Sequence, residues 1–287
     1  MTNQNAHLKS RKISFDILHA VLHDGDNINN LFTADSPWGL MSERDRGFSR
    51  RLVISVLRQH GQLTACLKTC LKKNPKPKVR TILLLGAAQL LLLGTEDHAA
   101  IHTSVSLARL ITGSAYTGLV NAVLRSLSRD GATILADTDP LDNLPEPFQT
   151  SWCKSWGTHT IRQIMQIAML QPPFDITLKP DNQSLQTQLS LHENLEAKPI
   201  WHHNMRCMPQ ASITEQPGYD TGEWWVQDCA AAIPALIMGK VDGLDIIDLC
   251  AAPGGKTAQL ITAGARVTAI DHSRSRLERL EENLDRL

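Results

Sequence analysis

A chain of 287 residues is long enough for two or three cores, and 42% hydrophobic with 20% charged residues is the composition of a soluble globular protein. The longest apolar run, Ile82 to Leu93, is interrupted by Gln89 and is too short to span a bilayer. With no secretory leader and six cysteines (66, 70, 153, 207, 229 and 250) scattered without a disulfide framework, the expected setting is a reducing cytoplasm. The net charge of zero hides an asymmetry. Residues 1 to 130 carry 17 Lys and Arg against 9 Asp and Glu, and the remainder carries 12 against 20, so a polyanion is the expected partner of the first part.

Residues 1 to 131 read as all-helical. Ile13, Ile17, Val21 and Leu22 keep helical spacing up to a stop at Asp24-Gly25. Ser42 can cap a second helix that runs to Gly61 and places Phe48, Leu52, Val53, Val56 and Leu57 on a core. In that helix Arg44, Arg51 and Arg58 fall seven apart and share a face, with Arg46 and Arg50 in an adjacent row. Such a row can meet the phosphates of RNA, or it can be ordinary helix-surface charge paired with Glu43 and Asp45. Gln62 to Leu71 makes a third helix, and Pro77 opens a fourth, Val79 to Leu93, apolar nearly all round and therefore central. Ala99 to Ile111 and Thr117 to Leu127 follow, each ended by a Gly.

Cys66 and Cys70 stand at i and i+4, but no second pair has matching spacing, and His202, His203 and Cys207 lack a fourth ligand, so no metal is expected. Residues 132 to 147, rich in Asp, Pro and Thr, read as a linker opening a small α+β segment that extends to residue 227. In that segment Phe148 to Trp156 and Thr160 to Leu170 are helical, Phe174 to Leu178 is a strand, and Ser184 to Ala197 has helical leucines. Trp224 and Trp225 are read as packing rather than base-stacking residues, and Asp228 as the N-cap of a helix Cys229 to Met238.

From residue 228 on the pattern is α/β. Leu244 to Leu249 and Val267 to Ile270 are apolar runs expected of parallel strands buried on both faces, joined by a helix Lys256 to Ala263 that Gly264 stops. Ligands of such units lie at the carboxyl ends of the strands. There Gly254 and Gly255 let the backbone come close, and Asp271 can accept hydrogen bonds from both hydroxyls of a ribose. A Walker A loop would need Gly at Cys250, and a dinucleotide GxGxxG would need Gly at Cys250 and Ala252, so both fail.

The run DLCAAPGGKT, preceded by WWVQD and followed by an acidic residue and ENLDRL, resembles motif I of the RNA cytosine-C5 methyltransferases, and the whole chain resembles the RsmB/Sun/Fmu-type bacterial small-subunit rRNA methyltransferases. The fold implied is multi-domain. An all-α NusB-like RNA-binding domain (1–131, with YTGLVNAVLRSLSR as its last helix) precedes a small α+β middle domain (132–227) and the beginning of an α/β Rossmann-like methyltransferase domain (228–287). The resemblance implies S-adenosyl-L-methionine as cofactor, held by Cys250, Ala251, Ala252, Pro253, Gly254, Gly255, Lys256, Asp271 and Arg276, and small-subunit rRNA as partner, met by Arg44, Arg46, Arg50, Arg51 and Arg58. Asn121 and Arg125 carry over only as a helix signature, and Lys179 stands where an Arg is usual, which keeps charge but loses the bidentate fork.

In this chemistry a cysteine thiolate adds to C6 of cytosine so that C5 can attack the methyl group. The family's Thr-Cys and Pro-Cys motifs on later strands are absent here, and Cys250 reads as a small buried residue lining the cofactor loop, so no catalytic residue is assigned. The final helix, with Leu277, Leu280, Leu284 and Leu287 on one side and the pairs Arg274/Glu278 and Glu282/Arg286 on the other, has no stop signal after it. The expectation is therefore a truncated methyltransferase sequence that keeps RNA binding but does not itself methylate. A NusB-like binding module is the alternative.

Overall fold

The computed structural model describes residues 3–180, 197–207 and 213–287, and the helix expected from Ser184 to Ala197 lies almost wholly outside them. The chain forms two compact units, Met1–Gln171 and Pro172–Leu287, so compactness divides within the stretch 132–227 that composition sets apart.

The first unit is all-helical. Helix α1 (Asn3–His19) runs into a π-helical turn, Ala20–Asp24, that Gly25 ends at φ +76°. A short α2 (Ile28–Leu31) is capped by the Asn27 side chain. Helix α3 (Glu43–Arg58) starts at Ser42, whose hydroxyl accepts the Asp45 N–H. Helices α4 (His60–Cys70), α5 (Pro77–Leu91), α6 (Asp97–Thr112) and α7 (Thr117–Ala136) follow. Central α5 buries Ile82, Leu83, Leu84 and Leu85, as expected of a helix apolar on every side. One contiguous core joins it to Leu18, Leu52, Val56, Leu63, Leu107, Leu124 and Leu127.

Two glycines read as stops are not stops. Gly61 lies inside α4, where a Cβ would run into the Asp142 carbonyl; Gly131 lies inside α7, where a Cβ would meet Leu91 Cδ2 at 2.8 Å. Both serve close approach rather than a left-handed turn. The segment read as a linker is folded as well: α7 continues to Ala136, and the 3-10 turn Pro140–Asn143 buries Leu141 against Ile161 and Met165. Helices α8 (Glu146–Trp156) and α9 (Thr158–Ala168) complete the unit, and Arg162 forks onto Asp139 at 3.1 and 2.8 Å.

The second unit holds two sheets. Strands β1 (Phe174–Leu178), β2 (Lys198–Trp201), β3 (Asn204–Cys207) and β4 (Trp224–Val226) form an antiparallel sheet in the order β2-β3-β1-β4, with Ile176 opposite Met205 on one side and Val226 on the other. Trp224 and Trp225 are buried, which makes them packing residues. Helix α10 (Cys229–Leu236) is capped by the Asp228 carboxylate, which accepts from Ala230 and Ala231 N–H. Then β5 (Asp245–Leu249), α11 (Gly255–Thr262) and β6 (Arg266–Ile270) make a parallel crossover, stopped after α11 by Gly264 at φ +91°. Helix α12 (Arg274–Arg286) follows.

The parallel strands depart from expectation. Ile247 is 65% and Leu249 70% exposed, so one face of the β5–β6 pair is covered and the other is not. An apolar run reports what a strand can bury on both sides; which side is covered depends on what packs there. The order helical unit, antiparallel sheet with helices, parallel α/β crossover agrees with the fold class read from the sequence.

Candidate functional site

Strand β5 pairs with β6 in parallel register, Leu249 opposite Ile270, so both chains emerge at the same sheet edge. Beyond Leu249 the backbone turns at Cys250, which has φ +63°, and Ala251 N–H donates to Ile270 O at 3.0 Å, carrying the pairing one residue further. Gly254 N–H then closes a turn on Ala251 O at 2.8 Å, and Gly254 itself, at φ +102°, is the cap from which α11 departs. That left-handed φ is what demands glycine here, because a Cβ would also sit 3.2 Å from Leu280 Cγ.

Asp271 ties the two strand ends together. Its side chain has no exposed surface; Oδ2 accepts from Ala252 N–H at 3.2 Å and Oδ1 from Ser273 N–H at 3.0 Å. The Ser273 N–H, then that of Ala252 and the Arg276 charge, hold its carboxyl below the usual range against the opposing effect of burial. Arg276 Nη1 is 3.5 Å from Oδ2, and its Nη2 donates to Ala252 O. Ala251 and Ala252 are buried with Leu280, whereas Pro253 and Lys256 are exposed and Gly255 half-buried; Cys250, expected to be buried, is exposed, because the chain turns there beyond the end of β5. The nine residues Cys250 to Lys256, Asp271 and Arg276 are thus brought into one loop-and-strand-end cluster.

Several residues that shape this loop were missed by sequence reasoning. Asn283 Nδ2 donates to Pro253 O at 2.9 Å, and the buried Thr257 hydroxyl donates to Asp248 Oδ2 at 2.7 Å. A polar chain also runs in from the antiparallel sheet. Asn204 Nδ2 donates to Thr177 Oγ1 (2.8 Å), Thr177 to Gln227 Oε1 (2.8 Å), Gln227 Nε2 to Gln259 Oε1 on α11 (2.9 Å), and Gln259 Nε2 to Ala232 O (3.1 Å). Trp225 Nε1 shares the Gln227 oxygen at 2.9 Å. A glutamine beside two tryptophans in WWVQD was the available signal, because a buried amide must find partners.

The expected pair Glu282/Arg286 is not formed. Arg286 instead donates to Tyr219 O and Trp224 O at 2.6 and 3.1 Å and stacks on the Tyr219 ring, while Arg274 and Glu278 do pair at 3.4 Å. Lys179 donates to Leu287 O. Of the thiols in this unit, Cys207 is buried and pushed up to about 11 by desolvation, Cys229 is half-buried at the start of α10, and Cys250 is exposed at the strand end.

The second candidate set lies on α3 of the first unit. Arg44, Arg50 and Arg51 are exposed, and Arg46 and Arg58 are half-buried. Among the described residues none of the five pairs with a carboxylate, Glu43 and Asp45 included. Arg46 donates to Gly39 O at 3.1 Å and lies 5.8 Å from the Trp38 ring centre; Arg50 lies 5.6 Å from that of Phe32. Those two are partly spent on packing. Arg125 Nε donates to Asn121 Oδ1 at 3.3 Å, one turn away on the same helix.

Residues 8–129 match the model of the NusB family, and residues 235–287 match that of the family described as 16S rRNA methyltransferase RsmB/F. Proteins named ribosomal RNA small subunit methyltransferase B are similar to this chain. That of Cronobacter sakazakii is 30% identical over 263 residues, 86% of this chain and 60% of the relative. That of Sodalis glossinidius is 29% identical over 294 residues, 98% of this chain and 67% of the relative. The chain spans about 60% of the length of the first relatives it matches. A solved structure titled "Crystal Structure of PH0851" shares the fold over 100% of this chain and 67% of its own, with a TM-score of 0.65 at 14% identity. Among the described residues no helix is long and apolar enough to cross a membrane.

Proposed function

We propose, for a chain that belongs to the NusB family over residues 8–129 and to the 16S rRNA methyltransferase RsmB/F family over residues 235–287, that its work is S-adenosylmethionine-dependent methylation of cytosine C5 in small-subunit rRNA. Residues 1–131 would hold RNA through Arg44, Arg46, Arg50, Arg51 and Arg58, residues 132–227 would form the middle segment, and residues 228–287 would carry the cofactor half-site.

The observation that carries the reading is Asp271. A carboxylate kept ionised at the end of β6 accepts hydrogen bonds and donates none, which suits the two hydroxyls of a ribose, and its link to Ala252 N–H sets the loop in register with the strand end. Arg276 crosses that carboxylate, and its half-exposed side chain must turn aside, giving up its bond to Ala252 O, to admit a diol. When bound, the sulfonium cofactor supplies the methyl group. This chain's own residues hold the loop, through Asp271 on Ala252 and Asn283 on Pro253, and keep its backbone close to the sheet edge.

A second reading, a module that binds RNA without methylating it, is favoured by the thiols. None of Cys207, Cys229 and Cys250 stands in a Thr-Cys or Pro-Cys setting, and Cys207 is a poor source of thiolate. The two readings separate by calorimetry of the 287-residue chain with S-adenosylmethionine. Saturable binding that Asp271→Ala weakens at least tenfold supports the first; binding untouched by that substitution sinks the cofactor assignment, and none at all leaves the RNA module.

A further inference from the structure

The antiparallel sheet has an apolar face, filled by Ile176, Leu178, Met205, Cys207 and Trp224, and a polar one. Two cross-strand rows lie side by side on the polar face: Lys198, Arg206 and Asp175 in one, Trp201, Asn204, Thr177 and Trp225 in the other. At β1 and β4 this face is covered. Asp175, Thr177, Trp225 and Gln227 are buried, Asp175 Oδ2 accepts the Cys229 N–H of α10 at 3.3 Å, and Gln227 reaches Gln259 of α11. At the β2 edge the face is open: Lys198 is exposed, Trp201 is 44% exposed, and the Arg206 side chain is half-exposed.

Two features of the open edge call for an outside partner. Lys198 and Arg206 are like charges directly opposite each other, an arrangement that costs stability in a sheet. Buried Asp175 neutralises only one of them, accepting Arg206 Nε at 2.9 Å and Nη2 at 3.0 Å; among the described residues Lys198 has no carboxylate partner. In the next row, Trp201 keeps ring surface in water although His202 already holds the indole edge-to-face, with centroids 4.5 Å apart at 61°. We propose that this edge docks single-stranded RNA, an unpaired base stacking on Trp201 and the adjoining phosphate lying between Lys198 and Arg206. The proposal rests on the RNA-directed function given above and adds where the strand runs: along the β2–β3 hairpin, in the compact unit that also carries the cofactor loop. An aromatic platform beside positive charge is what holds a single strand, the ring taking the base and the cations the backbone. The phosphate also meets the guanidinium donors that Asp175 leaves unused and relieves the repulsion between Lys198 and Arg206.

Fluorescence anisotropy of labelled oligocytidylate with the 287-residue chain tests the site, beside an abasic sugar-phosphate chain of the same length. Trp201→Ala should weaken oligocytidylate binding about 5- to 100-fold, Trp201→Phe should restore most of it, and neither should alter binding of the abasic chain. Lys198→Gln should lower the slope of log affinity against log salt by about 0.7 on both ligands, the value for one single-strand phosphate contact. Wild-type affinity for oligocytidylate in Trp201→Ala overturns the base site and leaves the RNA-binding reading to α3. Equal weakening of both ligands by Trp201→Ala and Trp201→Phe overturns it too, because stacking needs a base. An unchanged slope in Lys198→Gln removes the phosphate from between the two cations. No binding of either ligand by the wild type at low salt sinks the RNA-binding reading, and this site with it.

Discussion

The two units are built by different means. The first has a contiguous apolar core around α5, a helix whose residues Ile82 to Leu85 are wholly inside. The second divides its apolar burial among small clusters and leaves the outer face of β5 open, while hydrogen bonds from Asp271 and Asn283 hold the loop and those of Gln227 and Gln259 tie α11 to the antiparallel sheet and α10. Apolar contact is non-directional and makes a scaffold stable, whereas hydrogen bonds fix direction and so shape a site.

The sharpest way to break this comparison is to delete equal amounts of side chain from both units. Leu84 is fully buried, so Leu84→Ala should cost about 2–5 kcal/mol in urea unfolding, the usual range when a cavity is left in a packed core. Ile247→Ala, at a residue 65% exposed, should stay within about 0.5 kcal/mol. Comparable losses would mean that the β5 face is covered in solution.

How much of this was legible depends on the kind of signal. Helix starts were readable where the side chain itself makes the bond, as Ser42 and Asp228 do. Gly25, Gly113 and Gly264 were correctly read as stops because a positive φ is a local requirement. Gly61 and Gly131 were misread because the absence of a Cβ there answers to residues distant in sequence, Asp142 and Leu91. At the site, the loop and Asp271 were visible as a spacing. The clamps from Asn283 and Thr257, and the bonds by which Gln259 ties α11 to Gln227 and Ala232, were not, since an exposed-looking polar residue on an amphipathic helix does not announce its partner.

A middle-sized effect should come from the polar chain. Gln227→Leu removes the acceptor shared by Thr177 and Trp225 and the donor to Gln259, leaving buried polar groups unpaired, and should cost about 1–3 kcal/mol. If hydrogen bonds rather than apolar packing govern this region, hydrogen exchange of α11 amides should speed up along with the lost stability. A loss of stability without faster α11 exchange would confine Gln227 to the antiparallel sheet.

The smallest effect, and the one that separates the units by pH alone, concerns His19 and His60. His19 Nδ1 and His23 Nε2 lie 3.1 and 3.4 Å from Thr81 Oγ1, whose own proton goes to Pro77 O at 3.1 Å, so each imidazole donates to the same oxygen. The two rings are 4.5 Å apart. Burial first, then His23 lowers the His19 pKa, with Asp24 and Asp16 opposing and Lys78 assisting; burial first, then Arg80 and His23 lower that of His60. A histidine whose folded pKa lies below its unfolded value of about 6.5 takes up its proton more readily when unfolded. Stability from these groups is therefore full above that value and declines as pH falls below it. The second unit should respond in a lower window. Asp245 and Asp271 have depressed folded pKa values, Asp245 through Arg266 and Asp271 through the Ser273 N–H first, so their contribution is full above about pH 4 and is lost as pH falls through the folded values. Segment-resolved hydrogen exchange between pH 7 and 5 should thus show protection falling in α1, α4 and α5 before β5 and β6, and His19→Gln with His60→Gln should flatten the early decline. Simultaneous loss in both units, unchanged by the histidine substitutions, would show that neither imidazole titrates as its surroundings require.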